Sequence, residues 1–275
     1  MKKIIMLLLV VSSFVPCIAQ LSKDQVAKQA PLLLIKEKHL LNTQWDQWGI
    51  YARYTPKQQV LGCWSTALAQ ILYYHRLKPF GYANYICSNG YVIKDTLSKY
   101  NIRWSHFRYL LDKNSPEKSI SSVARYSYLT AIAVRKDFGS ERYLELVNPA
   151  PQIEKHFPCD AKFYGCFTGD LPFTPEQLKT IAEKEDIRHI IDRSQTINLI
   201  QKEIDNKMPV YFHFGNFSNY GHSTVIDGYR KQGNIFFVHI NYGASGFRNG
   251  WYDLFKPIDV DDDIRLRAFV TIHPK

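Results

Sequence analysis

Gly62-Cys63-Trp64-Ser65-Thr66-Ala67-Leu68-Ala69-Gln70-Ile71-Leu72-Tyr73-Tyr74-His75 is the stretch that says most about this chain. From Cys63 to Tyr74 it is apolar on most sides and contains no Gly or Pro. That pattern predicts a buried helix rather than an amphipathic surface helix. The helix should stop before Pro79. Cys63 falls at its start, where the helix dipole and free backbone N–H groups favour a thiolate over a thiol. Taken alone, a cysteine near a helix start is more often a small core residue.

On the N-terminal side, residues 41–62 read as irregular, with Trp45, Trp48, Gly49 and Pro56. On the C-terminal side, Tyr- and Ile-rich runs in 80–105 are broken by Asn89-Gly90, a hairpin signal. Ser119 to Phe138 reads as helix, with Val123, Tyr126, Leu129, Ile132 and Ala133 on one side. Residues 150–175 are punctuated by Pro and Gly and read as a loop or lobe boundary. Thr196 to Asn206 predicts another helix, ending before Pro209. Strands follow at 210–214, 223–226, 235–240, 250–254 and 267–272, separated by Gly- and Asn-containing turns. Helices first and strands later predict an α+β fold in two lobes.

Two residues of the strand-rich half bear on Cys63. His222, between Gly221 and Ser223, opens a strand and could be the base that pairs with the cysteine as thiolate and imidazolium. Asn241, nineteen residues later, follows the strand Ile235 to Ile240 and could hold the imidazole in position. Singly, each has a bland reading as a strand-start histidine or a turn asparagine. The order Cys, His, Asn, with the last two more than ~130 residues downstream, is that of papain-type peptidases.

The wider pattern resembles the streptopain family of papain-like cysteine peptidases. Leu40-Leu41, Trp45-Asp46-Gln47 and the 62–75 stretch form the first block of similarity. Pro209-Val210-Tyr211, Gly221-His222 through Val225-Ile226-Asp227-Gly228, His239-Ile240-Asn241-Tyr242-Gly243 and Gly250-Trp251-Tyr252 form the second. Together they cover roughly residues 40–80 and 205–272, and 81–195 does not align. The resemblance implies a papain-like two-lobe fold, with a helical N-terminal lobe carrying the nucleophile and an antiparallel β-rich C-terminal lobe carrying His and Asn. It casts Cys63 as nucleophile, His222 as general base and acid, and Asn241 as the residue that orients the ring. Gln47 becomes the oxyanion-hole side chain beside the Cys63 N–H, with Gln44 and Gln59 as fallback candidates. A preorganised oxyanion donor is worth ~3 kcal/mol. Gln70 and His75 match the pattern as structural residues, and Asp227 reads as a strand-end or turn residue. No metal or cofactor is implied.

The chain also departs from the family pattern. Tyr242 stands where a Trp usually shields the His–Asn contact, and Gly243-Ala244-Ser245-Gly246 replaces a Gly-Trp-Gly-Gly style segment. Asp259, Asp261, Asp262 and Asp263 lie where a glycine-rich loop is expected, and they read as a solvated turn without calcium-loop spacing. Only about 20 residues precede the catalytic region after the leader, against a large inhibitory prodomain in streptopain.

The address comes from residues 1–19. Lys2 and Lys3, the apolar run from Ile4 to Val15, and Cys17-Ile18-Ala19 before Gln20 form a secretory signal peptide. Pro16 disfavours the rival lipoprotein reading at Cys17. The domain plan is therefore a signal peptide at 1–19, a short lead-in at 20–40 and a catalytic domain at 41–275, with lobes of roughly 41–195 and 196–275. The expected location is periplasmic, cell-surface or secreted. The 275 residues carry 35 basic and 25 acidic side chains, a net +10. Export removes two lysines and no acid, leaving +8. The basic residues are scattered, which argues against a nucleic-acid partner. Membrane contact is expected only if the chain is lipidated. Four cysteines remain after export, and Cys159 could pair with Cys166 across a loop.

The expected function is a secreted cysteine endopeptidase acting on protein or peptide substrates, with a separate inhibitor protein as a conceivable partner. Two alternatives stand beside it. One is a catalytically weak relative serving as a binding module, and the other is an amidase or acyl transferase acting on cell-wall peptides.

Overall fold

The computed structural model describes residues 38–144, 148–167, 189–216, 220–259, 262 and 266–275. The signal sequence expected at 1–19 and nearly all of the expected 20–40 lead-in lie outside the described residues. Residues His39–Lys275 form one compact unit.

The elements follow in order. Helix α1 is Cys63–Tyr74, and the hairpin is β1 (Tyr82–Ile86) with β2 (Val92–Thr96). Then come α2 (Glu117–Ala133), α3 (Ala150–His156), β3 (Cys159–Phe167), β4 (His189–Ile191) and α4 (Arg193–Asp205). The rest is β5 (Val210–Asn216), β6 (Tyr220–Gln232), β7 (Ile235–Asn241), β8 (Gly250–Asp253) and β9 (Leu266–Pro274). The fold is α+β. One seven-stranded sheet runs β4-β3-β9-β5-β6-β7-β8, and only the β3–β4 pair is parallel.

Both faces of this sheet are apolar, which fixes its strands through their two-residue period. Tyr211 on β5 and Ala268, Val270 and Ile272 on β9 face a core built from α1, α2 and the hairpin. Their neighbours Phe212, Phe214 and Phe269 face a second core with Ile200 and Ile204 of α4 and Leu254, Phe255 and Ile258. Helix α1 lies in the first core, with every residue from Trp64 to Tyr73 buried, as its unbroken apolar pattern requires. Asp192 caps α4 by accepting from the Gln195 N–H, while the Gln195 side chain bonds back to the Asp192 N–H.

Two expectations change. Helix α2 ends at Ala133 rather than Phe138, because Arg135 turns to φ 56 and the chain leaves the helix. Residues 150–167, read as loop, hold helix α3 and the nine-residue strand β3. The misleading prolines sit where they are tolerated, Pro151 in the first turn of α3 and Pro158 just before β3. Residues 168–175 lie outside the described residues. Strands β3 and β4 join β5–β9 in the large sheet, which therefore runs across residues 195/196.

The Cys159–Cys166 pairing is corrected as well. Both residues lie on β3, so seven steps of ~3.3 Å hold them apart and the odd spacing sends them to opposite faces. Cys159 belongs to the first core and Cys166 to the second, and among the described residues no disulfide forms.

Candidate active site

The start of α1 is built without a side-chain cap. Gly62 takes the N-cap position at φ 85, ψ 152, a backbone conformation that L side chains rarely adopt. The work of a cap falls to Tyr143. Its hydroxyl accepts from the Ser65 N–H at 3.0 Å and lies 3.0 Å from Ser65 Oγ and 3.4 Å from the Leu61 carbonyl. Its ring stacks on Trp64 at 4.4 Å. A Cβ on Gly62 would stand 2.5 Å from that hydroxyl.

Lys136 braces this corner. It is fully buried, and its ammonium donates to the carbonyls of Asp137 (3.1 Å), Arg142 (3.0 Å) and Ser140. Burial pulls its pKa below the ordinary lysine range, with Glu141 and the Cys63 sulfur acting in the opposite sense. Removing the ammonium orphans buried carbonyls at ~1–3 kcal/mol each. Lys136→Met is therefore expected to lower unfolding stability by about 3 kcal/mol, read as an earlier urea midpoint. An unchanged midpoint would show that the loop re-forms without the charge.

Helix α1 packs on β6, which brings His222 to Cys63. Both residues are half-buried, so the pair is accessible from solvent. The His222 ring and the main chain and hydroxyl of Ser223 neighbour the sulfur, and hydrogen bonding from them favours its thiolate. Burial alone would raise the Cys63 pKa. These bonds and the histidine charge outweigh it and bring the thiol below its ordinary value. His222 moves the other way: burial opposes its charge, but Cys63 and the Tyr242 carbonyl raise its pKa above the ordinary histidine value. Two shifts in these senses favour thiolate plus imidazolium, the activated form of a nucleophilic cysteine.

The orienting contact differs from the expected one. His222 Nε2 donates to the main-chain carbonyl of Tyr242 at 3.0 Å, which leaves Nδ1 for the sulfur. The Asn241 side chain is engaged elsewhere. Its Nδ2 donates to the Thr43 carbonyl at 2.5 Å, and its Oδ1 accepts from Gln70 Nε2 and the Gly243 N–H, each at 3.2 Å. Asn241 thus fixes the loop that presents the carbonyl. Gln70 completes the link by accepting from the Trp45 N–H at 3.2 Å.

Tyr242 also covers the imidazole, its ring 4.4 Å away at 30°. Its hydroxyl donates to Asp259 Oδ2 at 2.8 Å, and Arg248 both pairs with Asp259 at 2.7 Å and lies over the tyrosine ring. The expected solvated acidic turn is therefore not one at its described positions. Asp259 anchors the shield, and buried Asp262 pairs with fully buried Arg267 and caps the Ile258 N–H. Asp261 and Asp263 lie outside the described residues.

Gln47 lies near the nucleophile, since its carbonyl accepts from the Leu61 N–H at 3.0 Å, just before Gly62. Its own N–H donates to Asp46 Oδ1, whose other oxygen accepts from Ser245 Oγ at 2.7 Å. The segment carrying Gln47 is thereby tied to the loop after Asn241. Gln44 lies against Gly246, and Gln59 closes the 56–58 turn on the Pro56 carbonyl. His75 caps the far end of α1, where burial and nearby His273 lower its pKa to about 4.

His39, Asp227 and His239 are the one group among the described residues gathered closely enough to hold a metal ion. The two imidazoles stack at 4.3 Å and 8°. Rings in parallel planes cannot both aim an in-plane lone pair at one ion. Asp227 already accepts from His239 Nδ1 (2.6 Å) and the Leu41 N–H (3.1 Å), while its carbonyl accepts from Leu40. Expected at a strand end, Asp227 sits instead at a bulge inside β6, where it fastens residues 39–41 to the sheet.

Sequence reading missed Lys136, Tyr143 and Ser223. The available signal was a lysine beside the apolar run 131–134 and a hydroxyl residue directly after the candidate histidine.

Comparison with known proteins agrees with this picture. The model of the Peptidase C10 family matches residues 45–252. Among solved structures, a mutant fragment of prointerpain A from Prevotella intermedia superposes with a TM-score of 0.63 at 20% identity, covering 85% of this chain and 71% of that one. The active wild-type interpain A cysteine protease of the same organism gives 0.63 at 21% identity, covering 85% and 93%. These likenesses establish a shared fold. No curated protein sequence matches significantly.

Proposed function

The chain belongs to the peptidase C10 family and is a cysteine peptidase, and we propose that it is an exported endopeptidase working through Cys63 and His222. The observation that carries this reading is the Cys63–His222 contact at the start of a buried helix, with both side chains partly open to solvent. In this reading the Cys63 thiolate attacks the scissile carbonyl carbon. The resulting oxyanion is received by the Cys63 N–H and the Gln47 side-chain amide. His222 gives its Nδ1 proton to the leaving amine as the tetrahedral intermediate collapses to a thioester. A water molecule, deprotonated by the same nitrogen, then hydrolyses the thioester. The signal pattern at 1–19 supports export.

The test uses protein beginning at Gln20, assayed on casein and separately on peptidoglycan fragments, with Cys63→Ala as control. Casein cleavage that disappears in the variant is the expected result. Release from peptidoglycan fragments without casein cleavage would replace the endopeptidase with an amidase or transferase.

A further inference from the structure

Ser223, directly after His222 on β6, is buried, and its hydroxyl oxygen is the meeting point of a small polar network. Tyr211 Oη lies 2.7 Å from Ser223 Oγ, and His213 Nδ1 lies 2.9 Å from it. Both come from β5, where His213 is paired in register with Ser223 and Tyr211 is two residues away on the same face. A serine hydroxyl has one proton to donate and two lone pairs to accept with. A thiolate can only accept.

These contacts limit the proton directions. Tyr211 is 1% exposed, and Ser223 Oγ is the only hydrogen-bond partner of its hydroxyl among the described residues. If that hydroxyl did not donate to Ser223, a buried proton would be orphaned. Burial keeps Tyr211 protonated, its pKa well above the ordinary value. His213 is neutral, since burial and neighbouring His222 and Arg267 lower its pKa to about 3. Carrying its proton on Nδ1, it supplies the second donor; with the proton on Nε2 it would instead compete for the Ser223 proton. In the first form both lone pairs of Ser223 Oγ are occupied, and its own proton is left for the Cys63 sulfur, whose thiolate Ser223 favours.

We propose that Ser223 is a further catalytic residue, whose hydroxyl, held in direction by Tyr211 and His213, donates to the Cys63 thiolate. Tyr211 and His213 are positioning residues that act through it. The proposal rests on the reading of Cys63 as nucleophile. It also predicts the shape of the effect. A donor to the sulfur raises the thiolate population at acidic pH, but it slightly lowers the nucleophilicity of each thiolate. Losing it should hurt at low pH and not at high pH.

The experiment is the pH dependence of iodoacetamide alkylation at Cys63, followed by mass of the Cys63 peptide, in protein starting at Gln20. Ser223→Ala should move the acidic limb up by about one pH unit, making alkylation about tenfold slower on that limb. The alkaline plateau should be unchanged or higher. Ser223→Thr, which keeps the hydroxyl, should restore the limb, and Tyr211→Phe should move it part of the way. A merely structural serine would change thermal stability without moving the limb. If Ser223→Ala superimposes on wild type, the proposal is overturned. If Ser223→Ala does not fold, Tyr211→Phe decides in the same manner. Failure of the underlying reading looks different: wild-type Cys63 would itself react like a free thiol of pKa ~8.5.

Discussion

His222→Ala is expected to lower kcat/KM on a protein substrate by about 10⁴-fold, in line with the loss of a base that acts as a unit with its nucleophile. Three functions vanish together. The ring supplies the largest influence that holds Cys63 below its ordinary pKa, opposing a burial that alone would raise it. It carries the proton that the leaving amine needs, and it deprotonates the water that releases the thioester. Two neighbours give the variant a built-in control. Tyr242 and Phe214 pack around the imidazole, at 4.4 Å and edge-on at 5.9 Å, so the site keeps its apolar walls. Steady-state kinetics and thermal melting together check this. Loss of activity with an unchanged melting temperature is the expected outcome, whereas a fall of under tenfold would remove His222 from the chemistry.

Gly62→Ala should fail for a different reason, through geometry rather than through protons. The residue sits at φ 85, ψ 152, and its new methyl would meet Tyr143 Oη at 2.5 Å and Lys136 Cε at 2.9 Å. Backbone strain of ~1–3 kcal/mol adds to the cost of moving the tyrosine that caps the helix. Neither obstacle yields easily, since Tyr143 is stacked on Trp64 and Lys136 is tied to three carbonyls. A total near ~3 kcal/mol is expected from urea unfolding. A shift of the Cys63 backbone by ~1 Å should also cost about 10²-fold in kcat/KM. Full activity and an unchanged urea midpoint would show that Gly62 is conformationally free.

Much of this is written in the residues themselves. The apolar run Cys63–Tyr74 folds as a helix with those same ends, because nothing in it permits another solution in a dry core. The β strands from 210 onward appear with the alternation that two apolar faces demand. The family resemblance seen around 40–80 and 205–272 overlaps the family match at 45–80 and 205–252.

What the sequence hid has physical causes. The contact that orients His222 is a main-chain carbonyl, which carries no side-chain signature, so Asn241 drew attention that its neighbour's backbone takes. Lys136 and Asp259 look like solvated charges until tertiary partners are known. Strand β3 was masked by Pro158 and Gly165, although its nine-residue pairing with β9 holds it in the sheet.

The most direct measurement is the rate of iodoacetamide alkylation at Cys63 in the wild-type protein across pH 4 to 10. The account predicts a fast reaction already at mildly acidic pH, with a thiolate step well below the ~8.5 of a free thiol and an imidazolium step above the ordinary ~6.5 of histidine. The two steps belong to the coupled pair rather than to either residue. A single rise centred near ~8.5, with no reaction below neutrality, would contradict it.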